Sequence, residues 1–139
     1  EDEDWVAGHR TSALQALHAF RASALWQELL TSEEVYTELP LAVADDAGET
    51  PTIVTGTIDL IYRCGAGWKI VDYKTNRITP DRGPAALVNE YAAQVNSYRR
   101  YWREMTGEDV HEGGLWLTDT GGYESIANPT LTSELALPG

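Results

Sequence analysis

The sequence predicts an α/β domain whose elements run in the order helix, three strands, helix, and a closing strand or hairpin. Three observations carry that prediction. The stretch from Thr11 to Leu30 is rich in Ala and Leu and free of Gly and Pro. The middle of the chain is dense in β-branched and aromatic residues, broken by turn chemistry. After residue 84 an apolar stripe, Tyr91, Val95, Tyr98, Trp102 and Met105, advances in steps of 4, 3, 4 and 3, the period of a helix face. The 139 residues are expected to form one domain, 1–139, around one core.

Leu14, Leu17, Leu25 and Leu29 keep helical spacing, so the opening stretch is predicted as one helix over 11–30. The run EEVYTELPLAVA (33–44) alternates, DDAGETP (45–51) supplies a turn, and TIVTGTIDLIYR (52–63) follows, which predicts two strands. CGAG (64–67) is a short glycine-bearing turn into a third strand, Trp68 to Lys74. NRITPDRGP (76–84) reads as a loop. A helix from about Ala85 to Met105 stops near Gly107, HEGGLWLTDTGGYESI (111–126) reads as a hairpin, and the tail from Asn128 as loosely ordered.

Composition narrows the function classes. No apolar run approaches the roughly 18 residues of a membrane span, and the opening EDEDW has neither the basic start nor the apolar core of a signal peptide. With no initiator Met, the chain is expected to be a piece of something longer. One cysteine, Cys64, excludes an internal disulfide and any four-cysteine zinc or iron–sulfur site and fits a reducing, intracellular setting. The formal charge is −12, with 22 acidic residues spread along the chain and two lysines, Lys69 and Lys74. Such an acid-rich, lysine-poor surface resembles those of salt-adapted proteins, in which high ionic strength screens self-repulsion; an acidic protein-binding surface is the competing reading. Five of the eight arginines fall between Arg77 and Arg103, among Tyr91, Tyr98, Tyr101 and Trp102, where phosphate pairing and base stacking are both available. Arg77, Arg99 and Arg100 are the candidate DNA contacts of this region, with Tyr98 beside them.

The strand GWKIVDYK places Asp72 and Lys74 in an otherwise apolar run. If 64–67 form the hairpin loop, Arg63 faces Trp68 and Asp59 faces Asp72. Directly opposed residues of an antiparallel pair point to one side about 4.5–5.5 Å apart, and like charges so placed destabilise the pair. A divalent cation with a taste for hard oxygen ligands, Mg²⁺ or Mn²⁺, would compensate. Lys74, two residues beyond Asp72, projects to the same face. A slip of one residue in register would send the two aspartates to opposite faces. The competing readings are a surface ion pair for Asp72 and Lys74, and an exposed strand position for Asp59.

Gly56-x-x-Asp59, then Asp72-Tyr73-Lys74-Thr75, then Gln94-x-x-x-Tyr98, in that order and spacing, resemble the nuclease domain of RecB/AddA-type helicase–nucleases, within the PD-(D/E)xK superfamily. VYTELPL is similar to the first core strand of that family, with Glu38 at the position of its acid. The resemblance covers most of residues 11–120 and implies a restriction-endonuclease-like core, a central mixed sheet flanked by helices. It also implies roles: Asp59 and Asp72 as metal ligands together with the main-chain carbonyl of Tyr73, Lys74 as the group that orients or deprotonates the attacking water, and Gln94 and Tyr98 on a helix face bordering the site and the DNA. For Tyr98 a plain core position is the alternative, and for Glu38 a solvated strand position. The implied activity is Mg²⁺-dependent phosphodiester hydrolysis in DNA, as an exodeoxyribonuclease acting on broken ends in repair and recombination.

One departure from the family stands out. A histidine metal ligand on an early helix is expected, and no clear counterpart exists: His9 follows Gly8 directly, His18 lies in the first predicted helix, and His111 falls late. The histidine-bearing helix is therefore expected upstream of Glu1, with His9 or His18 as substitutes. No G-x-x-x-x-G-K-[ST] loop is present, so no ATP site is expected here, and the helicase motor is expected upstream, while a further expected partner is a second subunit. Two further readings stay open. The chain is a catalytically silent nuclease fold that binds DNA or docks subunits, or it is a stand-alone endonuclease of the same superfamily.

Overall fold

The computed structural model of the chain describes residues 2–45, 48–65 and 67–128. Helix α1 (Asp2–Arg21) and helix α2 (Ala24–Leu30) lead into strands β1 (Glu34–Asp45), β2 (Thr52–Cys64) and β3 (Gly67–Lys74). Helix α3 (Pro84–Thr106) crosses to β4 (Val110–Leu117), and β5 (Gly122–Ile126) follows. The predicted tail beyond Asn128 lies outside the described residues. Among these residues no helix is long and apolar enough to cross a membrane.

The expected single helix over 11–30 is two helices, and it starts earlier, at Asp2. Ser23 is the cause of the break. Its backbone is extended (φ −81, ψ 158), its hydroxyl donates to Phe20 O at 2.5 Å, and it accepts from Trp26 N at 3.2 Å. A serine that satisfies the free ends of two helices at once terminates one and starts the next. Helix α3 has Pro84 in its first turn and Gly107 at its C-cap with φ 76, a conformation that favours glycine.

The five strands stand in the order β1-β2-β3-β4-β5, with β3 and β4 parallel and the other neighbours antiparallel. Alternation along β3 divides the core into two layers. Trp68 and Ile70 pack with Leu87, Val95 and Trp102 of α3, whereas Val71 packs with Leu25 of α2, Leu60, Tyr62 and Trp116. Glycines in β4 allow close approach on both sides. A Cβ on Gly113 would lie 2.8 Å from Val95 of α3, and one on Gly114 would lie 2.5 Å from the backbone oxygen of Glu124 and from the Tyr123 ring.

The β2–β3 hairpin has the expected register, Arg63 opposite Trp68, and pairs one residue further, Cys64 with Gly67. In β1–β2 the register also runs unbroken on either side of one gap, between Thr37↔Leu60 and Leu39↔Ile58. At that gap Glu38 adopts φ 48. Facing changes phase there in both strands. Tyr36 stacks on Trp68 under α3, Leu39 and Leu41, three and five residues on, pack in the same core, and Ile58 and Ile61 share it at a spacing of three. A strand that keeps strict alternation cannot do this. Asp59 sits at the crossover.

Candidate active site

Asp72 lies on the α3 face near the end of β3, and is 4% exposed. Asp72 stays paired with Leu115 of β4, but the pairing of β3 with β2 runs out at Leu60↔Val71, one step before Asp59 and Asp72 would pair. There the Asp59 carboxylate replaces the ladder bond by accepting from Tyr73 N at 2.9 Å. The two carboxyl groups meet: burial, and then the neighbouring Asp59, push the Asp72 carboxyl up to about 6, against the opposing pull of Lys74. Desolvation and like charge thus outweigh the attraction of the lysine.

Lys74 Nζ lies 2.6 Å from Asp72 Oδ2, 3.2 Å from Gln94 Oε1 and 4.0 Å from the centre of the Tyr91 ring. The contact with Asp72 is an ion pair off the line of a hydrogen bond, and Asp72 Oδ2, buried, accepts no hydrogen bond. Gln94 and Tyr98 are one turn apart on α3. The Tyr98 phenol is held above its ordinary range by burial and then by the charges of Asp72 and Asp59, with Lys74 and then Gln94 acting the other way. Gly56 makes room for this ring, since a Cβ there would stand 3.3 Å from Tyr98 Cε1. The structure therefore gathers Asp59, Asp72, Lys74, Gln94 and Tyr98 in one place, with Gly56 beneath.

Other expected residues lie elsewhere. Tyr73 turns its ring to the opposite layer, edge-on to Phe20, while its backbone borders Asp59. Glu38 is exposed, at the gap in the β1–β2 pairing where Asp59 stands on the neighbouring strand. Arg77 and Arg100 are exposed, Arg100 over the Tyr101 ring. Arg99 departs from the expected surface position. It is 7% exposed, donates from Nη2 to Ile126 O at 3.0 Å, and leaves Nε and Nη1 without partners beneath Gly113. It turns inward because it lies one turn beyond Val95, on the stripe that packs against β4. Tyr101 and Trp102 are core residues too, so neither offers an open ring for stacking. His18 is exposed on α1 and His111 is exposed on β4. His9 falls within α1, and its side chain lies outside the described residues.

Sequence reasoning missed Tyr91 as a neighbour of Lys74, and the burial of Lys69. Lys69 is 5% exposed and is clamped by Glu112 at 2.8 Å and Glu28 at 3.2 Å, with the Tyr123 ring at 4.3 Å. Its position in the alternation of β3, odd where Asp72 and Lys74 are even, was the available signal.

The donor set suits a hard divalent cation. Two neighbouring carboxylates share one ammonium, the Lys74 group 2.6 Å from the buried Asp72 Oδ2, and hard oxygen ligands of this kind suit a dication better than a single lysine. Among the described residues no group of three His, Cys, Asp or Glu gathers, so main-chain oxygen or water would complete the coordination.

A mixed sheet between helical layers, with paired carboxylates and a lysine at the end of its middle strand, is a restriction-endonuclease-like α/β fold. The chain belongs to the PD-(D/E)XK nuclease superfamily, whose profile matches residues 1–135. It is similar to proteins named as subunits of an ATP-dependent helicase/nuclease. The one from Carboxydothermus hydrogenoformans is 38% identical over 104 residues, 68% of this chain. Those from Desulforamulus reducens and Pelotomaculum thermopropionicum are 29% and 31% identical over 73% and 77% of it. The chain spans 9% of the length of each of these relatives.

Proposed function

We propose that this chain is the nuclease domain of an AddA/RecB-like ATP-dependent helicase–nuclease, hydrolysing phosphodiesters of DNA ends with Mg²⁺ or Mn²⁺ during double-strand-break repair and recombination. The observation that carries this reading is the buried Asp72 carboxylate, gathered with Asp59 and ion-paired with Lys74 near the end of the middle strand. Asp59, Asp72 and the Tyr73 carbonyl would hold the cation. Bound there, it supplies Lewis acidity toward a phosphoryl oxygen and lowers the pKa of water. Lys74 contributes a positive point charge and three donors beside the reacting centre, where such charge is worth more than in water. Gln94 holds that ammonium through its amide oxygen. Tyr98 lines the site beside the carboxylates, and Arg77 and Arg100 are the exposed cations for the phosphate backbone. The salt-adapted surface, the upstream motor domains and a second subunit belong to the same proposal.

The test is cleavage of labelled linear and circular DNA by the chain, with and without Mg²⁺, at molar KCl, alongside Asp72→Asn and Lys74→Ala. Metal-dependent cleavage lost in both variants supports the reading, and metal-independent cleavage, or cleavage kept by Asp72→Asn, contradicts it. The silent-scaffold reading draws on the sparse donor set of two carboxylates. It predicts DNA or subunit binding that neither variant disturbs.

A further inference from the structure

We propose that Tyr91 is a positioning residue of this site: its ring face seats the Lys74 ammonium beside the carboxylate pair by an attraction that does not depend on the charge of those carboxylates. The proposal rests on the nuclease reading for its purpose, though not for its geometry. Lys74 Nζ lies 4.0 Å from the Tyr91 ring centre, inside the range of a cation–π contact. The Tyr91 hydroxyl accepts from Asn76 Nδ2 at 3.4 Å, which ties the ring to the segment just beyond β3. The same residue is half-buried and packs against the core between α3 and the sheet.

The need for such a seat follows from the competing demand on Asp72. An ammonium 2.6 Å from Asp72 Oδ2 occupies the oxygen that a divalent cation would use. Once a dication takes that carboxylate, the ion pair with Lys74 weakens and two positive charges repel. A lysine held only by Asp72 would swing into solvent on its flexible stem. Gln94 Oε1 at 3.2 Å and the Tyr91 ring are both uncharged, so both go on attracting the ammonium whatever the charge state of the carboxylates. Tyr91 supplies a face, and Gln94 a single acceptor, to one nitrogen.

The chain has only two lysines, so selective labelling at the lysine ε-carbon gives two signals, assigned by the loss of one in Lys74→Arg. Lys69 lies 4.3 Å from the Tyr123 ring and reports the integrity of the fold independently. In the wild-type chain the ε-protons of Lys74 are expected upfield of those of an exposed lysine. They stay there in Tyr91→Phe, and also when Mg²⁺ is added. In Tyr91→Leu, which keeps apolar bulk without a π face, they return to the exposed position while Lys69 is unmoved. With cleavage as the second readout, Tyr91→Leu lowers kcat about tenfold, the scale of a desolvated cation–π contact, at unchanged KM and Mg²⁺-induced melting shift; Tyr91→Phe restores kcat. An unshifted Lys74 signal in the wild-type chain, which needs no variant to fold, overturns the seat. So does a Tyr91→Phe variant as impaired as Tyr91→Leu, which would assign the effect to the hydroxyl and Asn76. A protein with the expected signals that cleaves no DNA with any divalent ion sinks the nuclease reading and leaves the seat standing.

Discussion

Asp72 carries a cost in the folded chain that Lys74 does not offset, because burial and Asp59 push its carboxyl up to about 6. The folded state therefore binds that proton more tightly than the unfolded state does. Stability from this group is fully present below the ordinary aspartate value near 3.8 and is lost as pH rises toward about 6. Without divalent metal, Asp72→Asn is accordingly expected to match its parent at pH 4 and to exceed it by on the order of 1–3 kcal/mol at pH 7, read by urea titration at both pH values. A variant less stable than its parent at pH 7 would show that the ion pair with Lys74 dominates. The glycines give a second residue-scale contrast. Gly56→Ala asks the Tyr98 ring to yield a few tenths of an ångström, whereas Gly114→Ala meets the backbone oxygen of Glu124 at 2.5 Å, which cannot move without unpairing β5. Gly114→Ala is expected to cost about 2–3 kcal/mol and Gly56→Ala less than about 1, with thermal melts as the check.

Helix α3 turns adjacent arginines to opposite destinations, Arg99 into the β4–β5 interface and Arg100 to solvent. Neutralising Arg77 and Arg100 together is therefore expected to weaken DNA binding and to flatten its dependence on salt, while Arg99→Met leaves the salt slope alone. Because two of its buried nitrogens lack partners, Arg99→Met is expected to be neutral or stabilising by about 1 kcal/mol. A flattened slope in Arg99→Met would contradict the inward placement. The same helix shows what the sequence discloses at this scale. Its apolar stripe locates the face that packs, and Gly107 its end. The stripe cannot say that its groove extends to Arg99, because that depends on a glycine in β4, Gly113, far away in sequence. The register of β2 on β3 is readable because a short glycine turn fixes it, and so, although the ladder stops one pair short of them, the approach of Asp59 to Asp72 is readable too. The phase change at Glu38 and Asp59 is not. TELP and GTIDLIYR contain apolar residues on both parities, and a strand with two buried faces carries no alternation to interrupt. Likewise nothing but Ser23 marks the division of α1 from α2, in a run where every residue favours or tolerates helix.

At the scale of the whole molecule the formal charge of −12 opposes both compaction and approach to DNA. Raising KCl from about 0.1 M to about 1 M shortens the screening length from roughly 10 Å to roughly 3 Å, so the melting temperature is expected to climb across that range. A melting temperature indifferent to KCl would remove the argument for a salt-adapted surface. The acid pair at Asp59 and Asp72 differs from the rest of this charge, because Asp72 is buried and the pair is answerable by one bound ion instead of by screening. That distinction provides the most direct measurement of the central claim: the Mg²⁺-induced melting shift at fixed high KCl in the wild-type chain, Asp72→Asn and Lys74→Ala. A ligand that binds only the folded state adds about 2.7 kcal/mol at a hundredfold excess over Kd, so binding registers even where cleavage is slow. The expected result is a clear shift in the wild type, an equal or larger one in Lys74→Ala, where a nearby positive charge is gone, and none in Asp72→Asn. A full wild-type shift retained by Asp72→Asn would place the cation elsewhere and contradict the account.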